Sequence, residues 1–261
     1  MIGGKVMKPK KTIYYDSFDF DPIGDDIVPP KIDESYRYLR EGTLDRLGST
    51  LLYRLVATPV AAFYSKLILR EIYIGREKLP GGSYFLFCNH TEKIGDAFSP
   101  SISQFPRRVY VVIGSKNLGI GGISSFLYSL GGIPLPDTPG AARNFRAAIE
   151  QRLKEGAVIT VYPEAHLWPK YTGIRPFRAE SFDLARMFDV PIYTATRTYQ
   201  KDSLGTRSVI YIDGPFTYDK TLGRREGREK LADEVMEIMQ ARASLSNVEK
   251  IEYVRKEPNG E

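Results

Sequence analysis

The chain has 261 residues, enough for one or two domains and a sizeable core. Its 37 Lys and Arg against 32 Asp and Glu leave a charge of +5, which suits an anionic surface or substrate but is too weak to single out nucleic acid; no basic run is interleaved with aromatics. A single cysteine, Cys88, excludes a disulfide framework within the chain and a cysteine-rich metal site, and it points to a reducing compartment.

Residues 1–35 mix Pro, Gly, Asp and Tyr without a period and read as an irregular arm with no signal-peptide apolar stretch. Residues 36–70 read as helical. From Leu47 to Ser65 only Arg54 is charged, so the run approaches the ~20 apolar residues of a membrane span. Arg54, Pro59, Ser49, Thr50 and Thr58 count against a single span. Two readings stay open on these residues alone: a helix or helix pair lying in the membrane interface, or a helix packed on the protein core.

Beyond Gly75 strand and helix patterns alternate. The expected strands are 72–75, 84–88, 108–113, 157–162, 191–196 and 208–212, rich in Val, Ile, Tyr and Phe and mostly unalternated, as in strands covered on both faces. The expected helices are 96–104, 117–130, 139–155, 178–188 and 221–245. Thr138-Pro139 is a start signal and Lys154-Glu155-Gly156 a stop. Leu231, Val235, Ile238 and Met239 give the last helix an amphipathic spacing. The expected fold is α/β, a largely parallel mixed sheet flanked by helices over 71–247. An N-terminal apolar or amphipathic helical segment precedes it and a C-terminal tail, 248–261, follows, its end RKEPNGE (255–261) reading as frayed.

In open α/β sheets, sites form outside the carboxyl ends of the strands. The chain's two histidines both stand there: Asn89-His90 after the strand at 84–88, and Pro163-Glu164-Ala165-His166 after that at 157–162. A catalytic imidazole must be held in one tautomer, and a carboxylate accepting from its second nitrogen does that. Asp96 returns toward His90 if the chain turns helical after residue 91; otherwise it merely caps that helix. There is no G-x-S-x-G elbow, and Cys88 lies inside an apolar run as a core residue, so a base at His90 acts on a hydroxyl or on water. His90, Asp96, Glu164 and His166 are also zinc or iron ligand types, which leaves a metal-dependent hydrolase as an alternative.

The stretch from Asn89 resembles the first signature block of the glycerolipid acyltransferases, the PlsC-like lysophosphatidate (1-acylglycerol-3-phosphate) acyltransferase family: Asn-His, four residues, Asp. Here five residues separate His90 from Asp96, and Gly95 is the residue suited to absorb the extra one. Tyr162-Pro163-Glu164 is similar to the aromatic-Pro-Glu of the third block, with Ala165-His166-Leu167-Trp168 in place of Gly-Thr-Arg. The helix from Arg143 to Gly156, the stretch Arg175-Pro176-Phe177-Arg178 and the strand Val190-Pro191-Ile192 resemble the family's order of blocks. Lys116-Asn117-Leu118 and Gly131-Gly132-Ile133 resemble the second-block region; its arginine, expected near Asp137, is absent, and Arg143 is the nearest substitute. The resemblance spans roughly residues 70–215.

It implies transfer of an acyl group from an acyl thioester to the hydroxyl of a lysophospholipid or glycerol phosphate. His90 is then the general base, Asp96 orients it, and Glu164 organises the acceptor pocket or bonds the backbone of the His90 loop. Lys116, Arg143, Arg175 and Arg178 are the implied phosphate cations, the last two foremost because they flank the third block. His166 and Trp168 reshape the acceptor site. The resemblance implies no metal or cofactor besides the thioester of coenzyme A or acyl carrier protein, which is a candidate partner, and no nucleic acid. A lipid acceptor calls for a membrane-facing site, which favours residues 44–69 as an interfacial anchor aided by Arg54, Lys66 and Arg70. That implies a peripheral or monotopic protein on the cytoplasmic face. The glycine-rich run 119–132 reads as an apolar helix pair lining an acyl groove. The altered third block also leaves a non-catalytic lipid-binding protein of the same fold as an alternative.

Overall fold

A computed structural model describes residues 11–23, 28–39, 42–119 and 124–256. Its main sheet holds β2 (Ile72–Ile74), β3 (Tyr84–Cys88), β4 (Val109–Ile113), β5 (Gly132–Pro134), β6 (Val158–Val161), β7 (Ile192–Asp202) and β8 (Gly205–Phe216), in the order β2-β8-β7-β3-β6-β4-β5. All pairings are parallel except the β7–β8 hairpin.

The absence of alternation in the central strands follows from burial on both faces. On β3, Phe85 and Phe87 enter one core layer while Tyr84, Leu86 and Cys88 enter the other, and all five residues are buried. Phe145, Ile149 and Leu153 of α4 (Pro139–Lys154) and Leu231, Val235 and Met239 of α6 (Arg224–Ala243) fill the first layer, beside α5 (Asp183–Phe188). Helix α4 starts where expected: the Thr138 hydroxyl accepts from the Ala141 amide at 3.1 Å, and Pro139 needs no partner in the first turn. The other face carries α2 (Gly95–Gln104). Between β4 and β5 only α3 (Ser124–Ser129) and a 3₁₀ turn at Ser115–Leu118 are described. The expected helix pair of the glycine-rich run therefore lies partly outside the described residues.

Helix α1 runs over 43–68, α-helical at Thr43–Leu51 and Thr58–Phe63 and π-helical at Leu52–Ala57 and Tyr64–Ile68. Pro59 does not divide it. The turn before the proline widens, and both the amide and the hydroxyl of Thr58 donate to the Tyr53 carbonyl. From Leu47 to Ile68 the helix is long and apolar enough to cross a membrane, by length and composition, and only 17% of its most apolar window is buried in the protein. Leu51, Leu55, Val60, Phe63 and Leu67 are exposed, so the core-packed reading fails for most of its surface. Tyr53, Ala61 and Ser65 face the body, and Tyr64 meets Phe98 of α2 edge-on. Residues 36–39 and 42, expected as helix, are not helical, and Tyr38 and Ile32 reach the core instead.

Two expectations fail at the chain ends. Within the supposedly irregular arm, β1 (Lys11–Tyr15) pairs in parallel with β9 (Ile251–Arg255), which falls in the segment expected as a C-terminal tail; most of the end expected to fray, 255–261, lies outside the described residues. A ladder between segments 240 residues apart is invisible to local pattern reading.

Candidate active site

β3 hands the chain to the site through Asn89. Its amide Nδ2 donates to the Arg197 carbonyl at 3.0 Å, and its Oδ1 accepts the Arg197 amide at 2.8 Å. The side chain thus imitates one more peptide of the ladder after Cys88 has paired with Ala195. This frees the backbone of the next residue, His90, to leave the sheet.

His90 Nδ1 lies 2.8 Å from Asp96 Oδ2. The same oxygen accepts the amides of Thr91 and Glu92, each at 2.8 Å. An oxygen already accepting two N–H groups is an acceptor for the ring as well, so Nδ1 carries the proton and Nε2 is left with its lone pair. The imidazole is 24% exposed, its partner carboxylate 5%. Asp96 thus orients the ring and closes the turn at Thr91 and Glu92; it does not cap the helix that follows, whose first residues receive no side-chain cap. Gly95 opens α2 close against the preceding helix, where a Cβ would stand 2.6 Å from Leu69 Cδ1. The His90 loop thus packs directly on the end of α1.

Tyr162, last residue before the third-block loop, stacks on the imidazole at 4.4 Å and donates its hydroxyl to the Asp96 carbonyl. Burial, and then the Asp96 charge, push its pKa well above the usual phenol range, so it remains a donor. Burial likewise raises the Cys88 thiol, which makes it inert as the apolar run suggested.

Glu164 is buried and faces the His90 backbone. Its Oε2 accepts the His90 amide at 3.0 Å and Arg175 Nη2 at 3.0 Å, while Oε1 accepts the Arg175 amide at 2.9 Å. Arg175, expected as a phosphate cation, is only 1% exposed; it stacks over Trp168 at 4.9 Å and also donates to the His166 carbonyl. It is turned inward as the counter-ion of Glu164. Trp168 is wholly buried rather than part of an acceptor pocket. Its indole donates to the Phe20 carbonyl at 2.8 Å and its ring packs on Tyr15 and Tyr253, so it anchors the arm and β9.

The remaining candidates separate. Lys116 Nζ and His166 Nδ1 approach the same Asp21 Oδ2 at 3.8 and 3.7 Å, and so face a common point beside the carboxyl edge. Arg178 is exposed and pairs with Asp19 at 2.5 Å. Burial lowers the pKa of His166 despite Asp21, with Arg175 and Arg178 acting in the same direction as burial. Arg143 stands apart on α4, in a groove shared with Arg146, Lys154 and Met187. Among the described residues no three of His, Cys, Asp and Glu converge as metal ligands, and Glu164 points at Arg175 and the His90 amide instead of at His166. The geometry gives the metal-hydrolase reading no ligand set.

Pattern reading missed Arg197 and Glu71 behind Asp96, and the Glu92–Lys170 ion pair that pins the loop. Arg197 had a visible signal, a charge inside a run of buried strand residues, but the expected strand stopped one residue short of it.

The acyltransferase family model matches residues 71–197. Among solved structures, the 1-acyl-sn-glycerophosphate (LPA) acyltransferase PlsC from Thermotoga maritima shares the fold. Its TM-score is 0.54 at 16% identity, over 78% of this chain and 89% of that one. No curated protein matches the sequence. The segment that the acyltransferase model matches, 71–197, is the one that holds the His90–Asp96 pair and the Glu164 loop.

Proposed function

We propose that the protein transfers an acyl group from an acyl thioester to the hydroxyl of a glycerol phosphate or lysophosphatidate-type acceptor. The observation that carries this reading is the 2.8 Å contact of His90 Nδ1 with an Asp96 oxygen already bonded to two amides. It leaves a lone pair on Nε2, the form a general base requires. His90 takes the acceptor's hydroxyl proton as the oxygen attacks the thioester carbon, and Asp96 stabilises the imidazolium. Collapse of the tetrahedral adduct breaks the carbon–sulfur bond, and the imidazolium returns the proton to the thiolate.

Glu164 acts here through the His90 backbone rather than on substrate. Lys116 and His166, held at a shared carboxylate, are the groups best placed to receive an acceptor phosphate, with Arg178 beside them on its Asp19 tether. The donor is an acyl-CoA or an acyl carrier protein thioester, with no further cofactor. The end of α1 abuts the His90 segment through buried Leu69 against Gly95, and the helix's outer face is apolar and exposed, which favours a peripheral or monotopic protein whose site opens at the cytoplasmic membrane surface.

A panel of acyl thioesters offered with lysophosphatidate and glycerol 3-phosphate tests the reading by mass spectrometry. Formation of an acylated phosphate ester with release of free thiol is expected. Thioester hydrolysis alone, or no turnover with any pair, overturns it.

A further inference from the structure

Behind the His90–Asp96 pair lies a second, wholly internal ion pair. Arg197 on β7 is 4% exposed, and the Glu71 side chain is fully buried. Arg197 Nη1 donates to Glu71 Oε1 at 2.8 Å and Nη2 to Ser99 Oγ at 2.5 Å, while Nε stands 3.7 Å from Asp96 Oδ1. Ser99 and Tyr73 donate to the two Glu71 oxygens at 2.5 Å each. The side chains form a row, Glu71, Arg197, Asp96, His90, in which the charges of the first three alternate. A small cavity of about 20 Å³ adjoins it, lined by Tyr73, Asn89, Asp96 and Arg197, and is of a size for one water.

Such a row is a poor device for stability alone. Burying charges costs several kcal/mol per ion, and apolar side chains of similar volume do as well or better. Its geometry matters for the imidazole. A lone buried aspartate beside His90 makes the ring hold its proton tightly, and a base that is always protonated cannot accept one. A guanidinium at the far oxygen of Asp96 offsets that pull, and Glu71 in turn tempers the guanidinium. Burial disfavours the charge on Arg197, but Glu71 and Asp96 outweigh it and raise its pKa further.

We propose that Arg197 and Glu71 are positioning residues of the acyl-transfer site, a remote ion pair that faces the far oxygen of Asp96 and sets how tightly His90 holds its proton. The inference rests on His90 being the base. The other groups that face His90 are the Tyr162 ring, Glu164 at its backbone with Arg175 behind, the Glu92–Lys170 pair of the same loop, and the protonated Cys88 in β3. All are left in place by the variants below.

The chain's two histidines make the test direct, because only two imidazole Cε1–H resonances titrate, and a His166→Gln spectrum assigns them. A merely structural tether between α1, α2 and the sheet leaves the His90 titration midpoint where it is. The proposal expects opposite signs. Glu71→Gln removes a negative charge and moves the midpoint down by about half a pH unit, while Arg197→Met moves it up by about one unit. The double variant lies above Glu71→Gln, and the acid limb of kcat/KM follows the same order. If Arg197→Met does not fold, the downward shift in Glu71→Gln decides alone. No shift in that variant, or shifts of one sign in both single variants, overturns the proposal. Acyl transfer by His90→Ala overturns instead the catalytic reading and leaves the titration result standing.

Discussion

Glu164 holds the backbone of His90, accepting its amide at 3.0 Å while gripping Arg175 at two points. The third block is thereby bonded to the first, and the loop carrying the imidazole is fixed from below. Glu164→Gln keeps the shape and weakens the grip, so kcat is expected to fall ten- to a hundredfold with the acceptor KM nearly unchanged, because the contact is to backbone. Glu164→Ala strands a buried guanidinium, and a loss of about 3–5 kcal/mol is expected in urea denaturation. A large rise in acceptor KM with kcat intact would place Glu164 on the substrate instead.

Trp168 ties both chain ends to the domain through Phe20, Tyr15 and Tyr253. Trp168→Ala opens a large aromatic cavity, and a cost of about 3–5 kcal/mol is expected. Limited proteolysis should then cut first within 11–23, ahead of any site in the sheet. Equal protection of the arm in variant and wild type contradicts the anchoring role.

The exposed face of α1 predicts binding to vesicles. Each apolar side chain moved out of water contributes about 1.5–3 kcal/mol. Leu51→Asp with Leu55→Asp is therefore expected to reduce co-sedimentation with anionic phospholipid vesicles more than tenfold, while the circular dichroism spectrum stays the same. Unaltered sedimentation means that another surface, or none, meets the bilayer.

His166 adds a pH dependence of known sign. Its folded pKa lies below the ordinary 6.5, chiefly through burial, so the unfolded chain binds the proton more readily. The stability from the neutral ring is present above pH 6.5 and is lost as pH falls through the window between 6.5 and the lowered folded value. His166→Gln should flatten the stability curve across that window in denaturation series at half-unit steps. A wild-type curve that rises on acidification there reverses the assignment.

What could be read from sequence was local. The six expected strands exist because each is a contiguous apolar run, and both histidines fall at strand ends because polarity breaks there abruptly. The His90–Asp96 contact was legible because one turn of chain brings the two together. The misreadings are tertiary. Arg175 and Trp168 look like surface chemistry beside the third block, but the folded arm covers Trp168 and Arg175 turns in beneath that ring onto Glu164. Nothing near Lys11 announces Ile251 as its partner. Residue type alone could not show that Glu71 belongs to the site, since it stands at the end of an apolar helix and meets Arg197 only through the sheet.

The most direct measurement is the single-turnover rate of thiol release from an acyl thioester in the presence of lysophosphatidate, for wild type and His90→Ala side by side. A positioned general base contributes roughly 10²–10⁴-fold, so a loss of that size is expected with the variant folded and thioester binding retained. A variant that transfers the acyl group as fast as wild type would contradict the account at its centre.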